Sequence, residues 1–226
     1  MEPFVQLLIY VHAFLGGVGL VTGFVAIAAR KGQGWHTRAG KIFSWAMIGS
    51  AGISLLVASL PGHENLFLFL IGVFTVYLVL AGNRALTLRY PLKERADTVD
   101  RLLSGTMLAG SVLMLGIGGY GLTVGRPNGI LFCFFGGFGM LLTLTDFYNF
   151  RRFRTDQWIW LKSHIGRLVG AMIASVTAFM VAGLDLKSVL FWITPTIVGT
   201  AYILYWTRRV DDRGLRKRVQ PPDLPR

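Results

Sequence analysis

Long apolar runs alternate with short charged ones from one end of this chain to the other. The hydrophobic stretches cover residues 4–28, 42–60, 65–88, 103–124, 128–149, 164–184 and 188–207. Each is close to the ~20 residues that a helix rising 1.5 Å per residue needs to cross ~30 Å of hydrocarbon. The pattern predicts an all-α integral membrane protein, a bundle of seven transmembrane helices forming one domain over residues 1–207. The shortest connection, Pro61-Gly62-His63-Glu64, reads as a tight turn between antiparallel helices. Pro195, within Thr194-Pro195-Thr196, is expected to kink the seventh span.

The charges orient this frame. Of the 23 Lys and Arg residues, all but Arg126 and Lys187 fall in the first, third and fifth connections, at their flanks, or beyond the last span. Cytoplasmic loops retain Lys and Arg, so these segments face inward, which puts the N-terminus outside and the C-terminus in the cytoplasm. An even number of spans would break the alternation. The first run is too long for a signal-peptide core and is preceded by Glu2 with no Lys or Arg, so it reads as a retained span. Residues 208–226 are expected to be a flexible basic cytoplasmic tail near anionic headgroups. Trp35, Trp45, Trp158, Trp160 and Trp206 fall near the inner interface and Trp192 near the outer one, as in an aromatic belt. The expected location is the bacterial inner membrane.

Composition agrees. Hydrophobic residues make up 53% of the chain and charged residues 15%, against roughly 25% charged in an average soluble domain. The net charge of +12 follows from the placement of the inward loops, so nucleic acid is not an expected partner. The expected partners are the lipid bilayer, anionic headgroups at the basic loops and tail, and either a larger membrane complex or further copies of this chain. Cys133 is the single cysteine, which rules out an intrachain disulfide. The 28 glycines, concentrated in spans one, four and five, suit close helix packing, the alternative being room for a flat cofactor or a mobile helix. Spans two and six open with similar segments, His36-Thr37-Arg38-Ala39-Gly40 and His164-Ile165-Gly166-Arg167. Spans three and seven both end in aromatic and basic residues, Arg89-Tyr90 and Tyr205-Trp206-Thr207-Arg208. A three-plus-one-plus-three parallel repeat would account for both resemblances.

Ionisable groups inside spans are costly, so each is a functional candidate. On the inner side these are His36, Arg38, Asn83, Arg84, Asp146, Asn149, His164 and Arg167; His12 and His63 are the outer-side candidates. The inner set could line one polar cavity, with Arg38, Arg84 and Arg167 holding an anion, Asp146 pairing or accepting a proton, and the histidines coordinating. The structural alternative is a clamp in which Asp146 neutralises Arg84 or Arg167 while the rest reach to water. His36 and His164 lie at one depth beside Arg38 and Arg167, as axial ligands of a b-type haem would. Both, however, sit at helix entrances on this reading. The outer pair fits worse, with His12 ~9–12 Å deeper than His63. There is no His-Glu-x-x-His, no Gly-x-Ser-x-Gly and no Lys inside the seventh span, so zinc hydrolysis, a nucleophile elbow and a retinal Schiff base have no residues to carry them.

The segments around His12, Gly34-Trp35-His36-Thr37-Arg38-Ala39-Gly40-Lys41, and Trp160 through Arg167 into Ala174–Phe179 resemble bacterial multi-pass membrane proteins of the domain-of-unknown-function 2306 type. The resemblance implies a membrane protein with histidines at span entrances, and supplies no reaction. Three functions are carried forward: a protein that binds a small ligand or a redox cofactor (b-type haem or quinone) at its inner face, a secondary transporter, and a non-catalytic accessory subunit. None requires an enzyme.

Overall fold

A computed structural model describes residues 2–89, 93, 95–126, 128–152, 154–186 and 188–219. The expectations for Tyr90, Lys187, Arg226 and the rest of 220–226 lie outside the described residues, as do the side chains of Trp192, Arg213, Arg216, Lys217 and Arg218. Among the described residues there are seven α-helices and no strand: α1 (Glu2–Ala28), α2 (Gly34–Val57), α3 (Leu66–Ala85), α4 (Thr98–Thr123), α5 (Gly129–Arg152), α6 (Ile159–Ala178) and α7 (Val189–Val219), with a π-helical turn at Phe179–Gly183 after α6.

Helices α2, α4 and α6 begin five to eight residues before the apolar runs that announce them. The backbone gains its helical hydrogen bonds before the chain reaches hydrocarbon, so the polar turns at the membrane surface are already helical. His36 therefore lies within α2 and His164 within α6, rather than before them. The caps are local. Asn65 accepts from the Leu68 N–H at the start of α3. Asp97 and Asp100 cap each other's backbone in a capping box that opens α4.

Helices α1 to α6, with α6 extended through Val181, are long and apolar enough to cross a membrane. Their outward faces carry large bare side chains, among them Phe14, Leu102 and Ile130. Trp35 and Trp45 are about three-quarters exposed, at 75% and 76%. Contiguous apolar surface on this scale suits lipid, not water. The seventh helix is less apolar because Thr194, Pro195, Thr196, Gly199 and Thr200 interrupt its first half. It continues as helix through Pro195, and also past residue 207 to Val219, where an irregular tail was expected.

Helices α1, α2, α3 and α6 form a four-membered ring, each packed on the next, with α6 closing onto α1. The diagonals stay apart: among the described residues no Cα of α2 comes within 8 Å of one on α6, nor one of α1 within 8 Å of α3. The core of this ring is Phe43 and Met47 from α2, Phe74, Tyr77 and Leu78 from α3, and Ala171 and Met172 from α6. The hairpin of α4 and α5 docks on α3, and α7 lies along α6. This arrangement does not follow a three-plus-one-plus-three repeat, which would pair α5 with α6 as α1 pairs with α2. Instead α5 lies along α4 and scarcely meets α6. Its glycines explain the choice: a Cβ on Gly118 would lie 2.7 Å from the Cys133 nitrogen and 2.9 Å from the Gly129 oxygen. Only bare backbone allows that approach.

Contacts between distant segments gather the basic termini at one end. Lys162 reaches both Asp156 and Asp211. Lys31 faces the rings of Tyr202 and Trp206, and Arg89 faces Trp160. At the other end Glu2 meets His63 at 3.5 Å.

Candidate functional site

The deepest polar group is an ion pair between α5 and α6. Arg167, the ninth residue of α6, lies roughly 12 Å along the helix from its start. Its Nη2 donates to Asp146 Oδ1 at 2.5 Å and to the Leu142 carbonyl at 2.8 Å. The other carboxylate oxygen accepts from Tyr77 Oη at 2.5 Å and from Ser104 Oγ at 2.9 Å. Arg167 Nε also donates to Tyr77 Oη at 3.2 Å. The two charged side chains are 5% and 8% exposed. Four helices, α3 to α6, thus meet on one neutral, hydrogen-bonded pair. Burying either charge alone would be severely destabilising; together, with their remaining valences filled, they form a tie between the α4–α5 hairpin and the ring.

Arg84 does not join this pair. It turns to the start of α4, donating from Nε to Asp100 at 2.5 Å and from Nη2 to Asp97 at 2.6 Å. Lys93 reaches the same two carboxylates, at 2.5 Å and 2.9 Å. Two cations and two anions cancel locally. The Lys93 hydrogen bond, the Asp100 N–H and the Arg84 guanidinium together hold the Asp97 carboxyl well below the usual carboxylate range.

The expected single polar cavity is therefore divided. A small one does exist between the two clusters, lined by Arg84, Asp100, Ser104, Asp146, Asn149 and Ser163 with apolar neighbours. Its free volume is ≈ 20 Å³, about one water molecule. Asn149 is taken up by Ser163 at 3.2 Å. Asn83 donates to Ser44 Oγ on α2 at 2.9 Å. Arg38 is exposed at the surface of α2, apart from the other candidates. No ligand larger than water fits among these groups.

The histidines are arranged differently. His36 Nδ1 lies 2.9 Å from the Ala26 carbonyl of α1, and His164 Nδ1 lies 2.9 Å from the Gly82 carbonyl of α3. Both carbonyls belong to the last turn of their helix, where they lack an intrahelical N–H. A carbonyl oxygen only accepts, so in each neutral ring Nδ1 carries the proton and Nε2 the lone pair. Neither Nε2 has a hydrogen-bond partner among the described residues. The rings come from α2 and α6, across the open diagonal of the ring of helices, and are near enough to act on each other electrostatically. His12 is half-buried and turned to α2, its Nδ1 2.9 Å from the Ser50 carbonyl and 3.0 Å from Ser50 Oγ. It therefore faces the bundle. His63 is held by Glu2 at the opposite end.

Four residues central to this picture were not singled out from sequence: Tyr77, Ser104, Asp97 and Asp100. The first two look like ordinary residues of apolar helices, and nothing local announces their shared partner. The last two carry a readable signal, paired acids just ahead of an apolar run. No family model, curated relative or solved structure matches the chain.

Proposed function

We propose that this chain is a seven-span protein of the bacterial inner membrane, N-terminus outside and C-terminus cytoplasmic, that holds a small ligand or redox cofactor at its basic end. It is not itself an enzyme on this reading. The orientation rests on the Lys and Arg distribution, and the seventh span on the lie of α7 along α6. Kinship with the domain-of-unknown-function 2306 type belongs to the same proposal and rests on the His36 and His164 segments. The observation that carries the ligand is the state of those two imidazoles. Among the inner-side candidates the charged groups near the core are satisfied by one another, whereas both Nε2 atoms are unsatisfied and directed at one region. Buried polar atoms ordinarily have partners, and an exception calls for one.

Two measurements test this. Reporter fusions after Ala29, Ser59, Thr123 and residue 219 should read inside, outside, outside and inside. Protein purified in mild detergent should release, on denaturation, a non-lipid small molecule that His36→Ala and His164→Ala variants release in smaller amount. Extracts of wild type and variants that match would remove the ligand.

A further inference from the structure

We infer that His36 and His164 are the two axial ligands of one b-type haem, an inference that rests on the inner-end ligand site just proposed and names its occupant. The first support is the ring chemistry. A metal-binding imidazole usually donates its second N–H to a carbonyl or carboxylate, which fixes the tautomer and aims the other nitrogen. Both histidines already have that partner, in the Ala26 and Gly82 carbonyls. Two independent helix ends supply the same device to two rings that approach each other.

The second support is the number of ligands. A bare transition-metal ion takes about four protein ligands in a closed site. No group of three or more His, Cys, Asp or Glu suited to an ion occurs among the described residues. Two nitrogens facing one another, with no third donor, suit an iron whose remaining positions are filled by its own macrocycle. The third support is the frame. The helices that carry the rings lie on a diagonal of the four-helix ring, with no Cα pair within 8 Å, while the neighbouring helices are in contact. One turn deeper than His36 on the same face is Gly40, where a Cβ would meet nothing within 4 Å. Below that lie Phe43 and Met47 of α2 and Met172 of α6, an apolar floor for a flat ring. At the mouth, Lys31 approaches the Ala26 carbonyl that also holds His36. Its ammonium is the cation placed to meet a propionate. Arg167, two helical positions of depth below, is committed to Asp146 and does not serve.

The test uses the full chain, expressed with a haem precursor supplied and purified in mild detergent. Its reduced-minus-oxidised spectrum should show the sharp bands of a low-spin b-type haem, and a pyridine haemochrome assay should give one haem per chain. His36→Ala and His164→Ala should each lower bound haem roughly tenfold or more. His164→Met should retain haem but change its spectrum and potential, which a variant that merely misfolds would not do. His63→Ala, at the opposite end, should keep full occupancy. A colourless protein that also fails to take up added haemin overturns the inference, as does haem retained unchanged in the His36→Ala/His164→Ala double variant. A colourless protein that still releases a quinone or another small molecule, lost in the histidine variants, ends the haem assignment and leaves the wider ligand site standing. Release of nothing at all ends both.

Discussion

Replacing Asp146 by leucine removes the carboxylate that balances Arg167 and receives Tyr77 and Ser104. Arg167 would keep the Leu142 carbonyl and Tyr77 Oη but lose its only carboxylate partner among the described residues, with 5% of its side chain exposed. Breaking a buried ion pair in this way costs about 3–5 kcal/mol. For a chain of this size 1 kcal/mol moves the midpoint of thermal unfolding by roughly 2–4 °C, so a loss of roughly 6–20 °C is expected in detergent. The control is Asp156→Leu. Asp156 lies in the α5–α6 connection with its side chain 36% exposed, paired to Lys162; exposed pairs contribute at most about 1 kcal/mol. The double variant Asp146→Leu/Arg167→Met removes both charges and replaces them with similar volume, and should recover most of the loss. Equal midpoints for Asp146→Leu and Asp156→Leu, or a double variant no better than the single one, would refute a tie made by charge pairing.

Three further outcomes can be measured on the same preparations. Gly118→Ala forces a methyl group against the Cys133 and Gly129 backbone and should cost about 1–3 kcal/mol by overpacking, whereas Gly119→Ala, with nothing within 4 Å, should be neutral or slightly stabilising through helix propensity; thermal unfolding separates the two. Asp97→Asn should destabilise modestly at neutral pH, since a carboxyl held below its unfolded pKa stabilises the fold above that pKa, and the difference from wild type should shrink only as the pH falls below about 4; a difference that vanishes between pH 8 and 6 would contradict the assignment. Ser50→Ala leaves His12 with the Ser50 carbonyl alone and should cost about 1 kcal/mol, with no change in anything bound at the basic end.

How much of this was legible in the sequence depended on the range of the physics involved. Helix positions followed from runs of apolar residues, a local property, and six of the seven predicted spans correspond to helices with the length and apolarity to cross a bilayer. Helix starts were less legible, because hydrogen bonding extends into polar turns that hydropathy ignores; His36 and His164 moved inside their helices for that reason. Partner choice was hardest. Arg84, Asp146 and Arg167 all lie near the inner ends of their helices, so sequence offered two pairings for Asp146. Helix rotation decided between them. Arg84 faces α4, where Asp97 and Asp100 wait, and Arg167 faces α5. Neither direction is encoded within a single segment. Likewise the histidines share a depth in the sequence, but the carbonyls that set their tautomers come from the ends of α1 and α3, which only the tertiary arrangement brings near.

The separation of these groups bears on what kind of ligand the inner end can take. Arg167 is balanced by Asp146, and Arg84 and Lys93 by Asp97 and Asp100. An anion entering here would have to displace a carboxylate already in hydrogen-bond contact, in exchange for a similar interaction. Little net attraction is left. What is unspent is the pair of neutral imidazole nitrogens, which offer lone pairs and no charge. Recognition through them is coordination, and its selectivity comes from ligand geometry instead of electrostatic attraction. Binding at the histidines should therefore be nearly insensitive to ionic strength, because salt screens attraction between charges and does not compete for an imidazole lone pair. It should be sensitive to protonation instead, because an imidazolium has no lone pair to give. Titrating occupancy against salt and against pH distinguishes the two cases. Loss of the ligand between low and high salt at constant pH would point to an ionic site at the arginines, and against the division of labour described for this bundle.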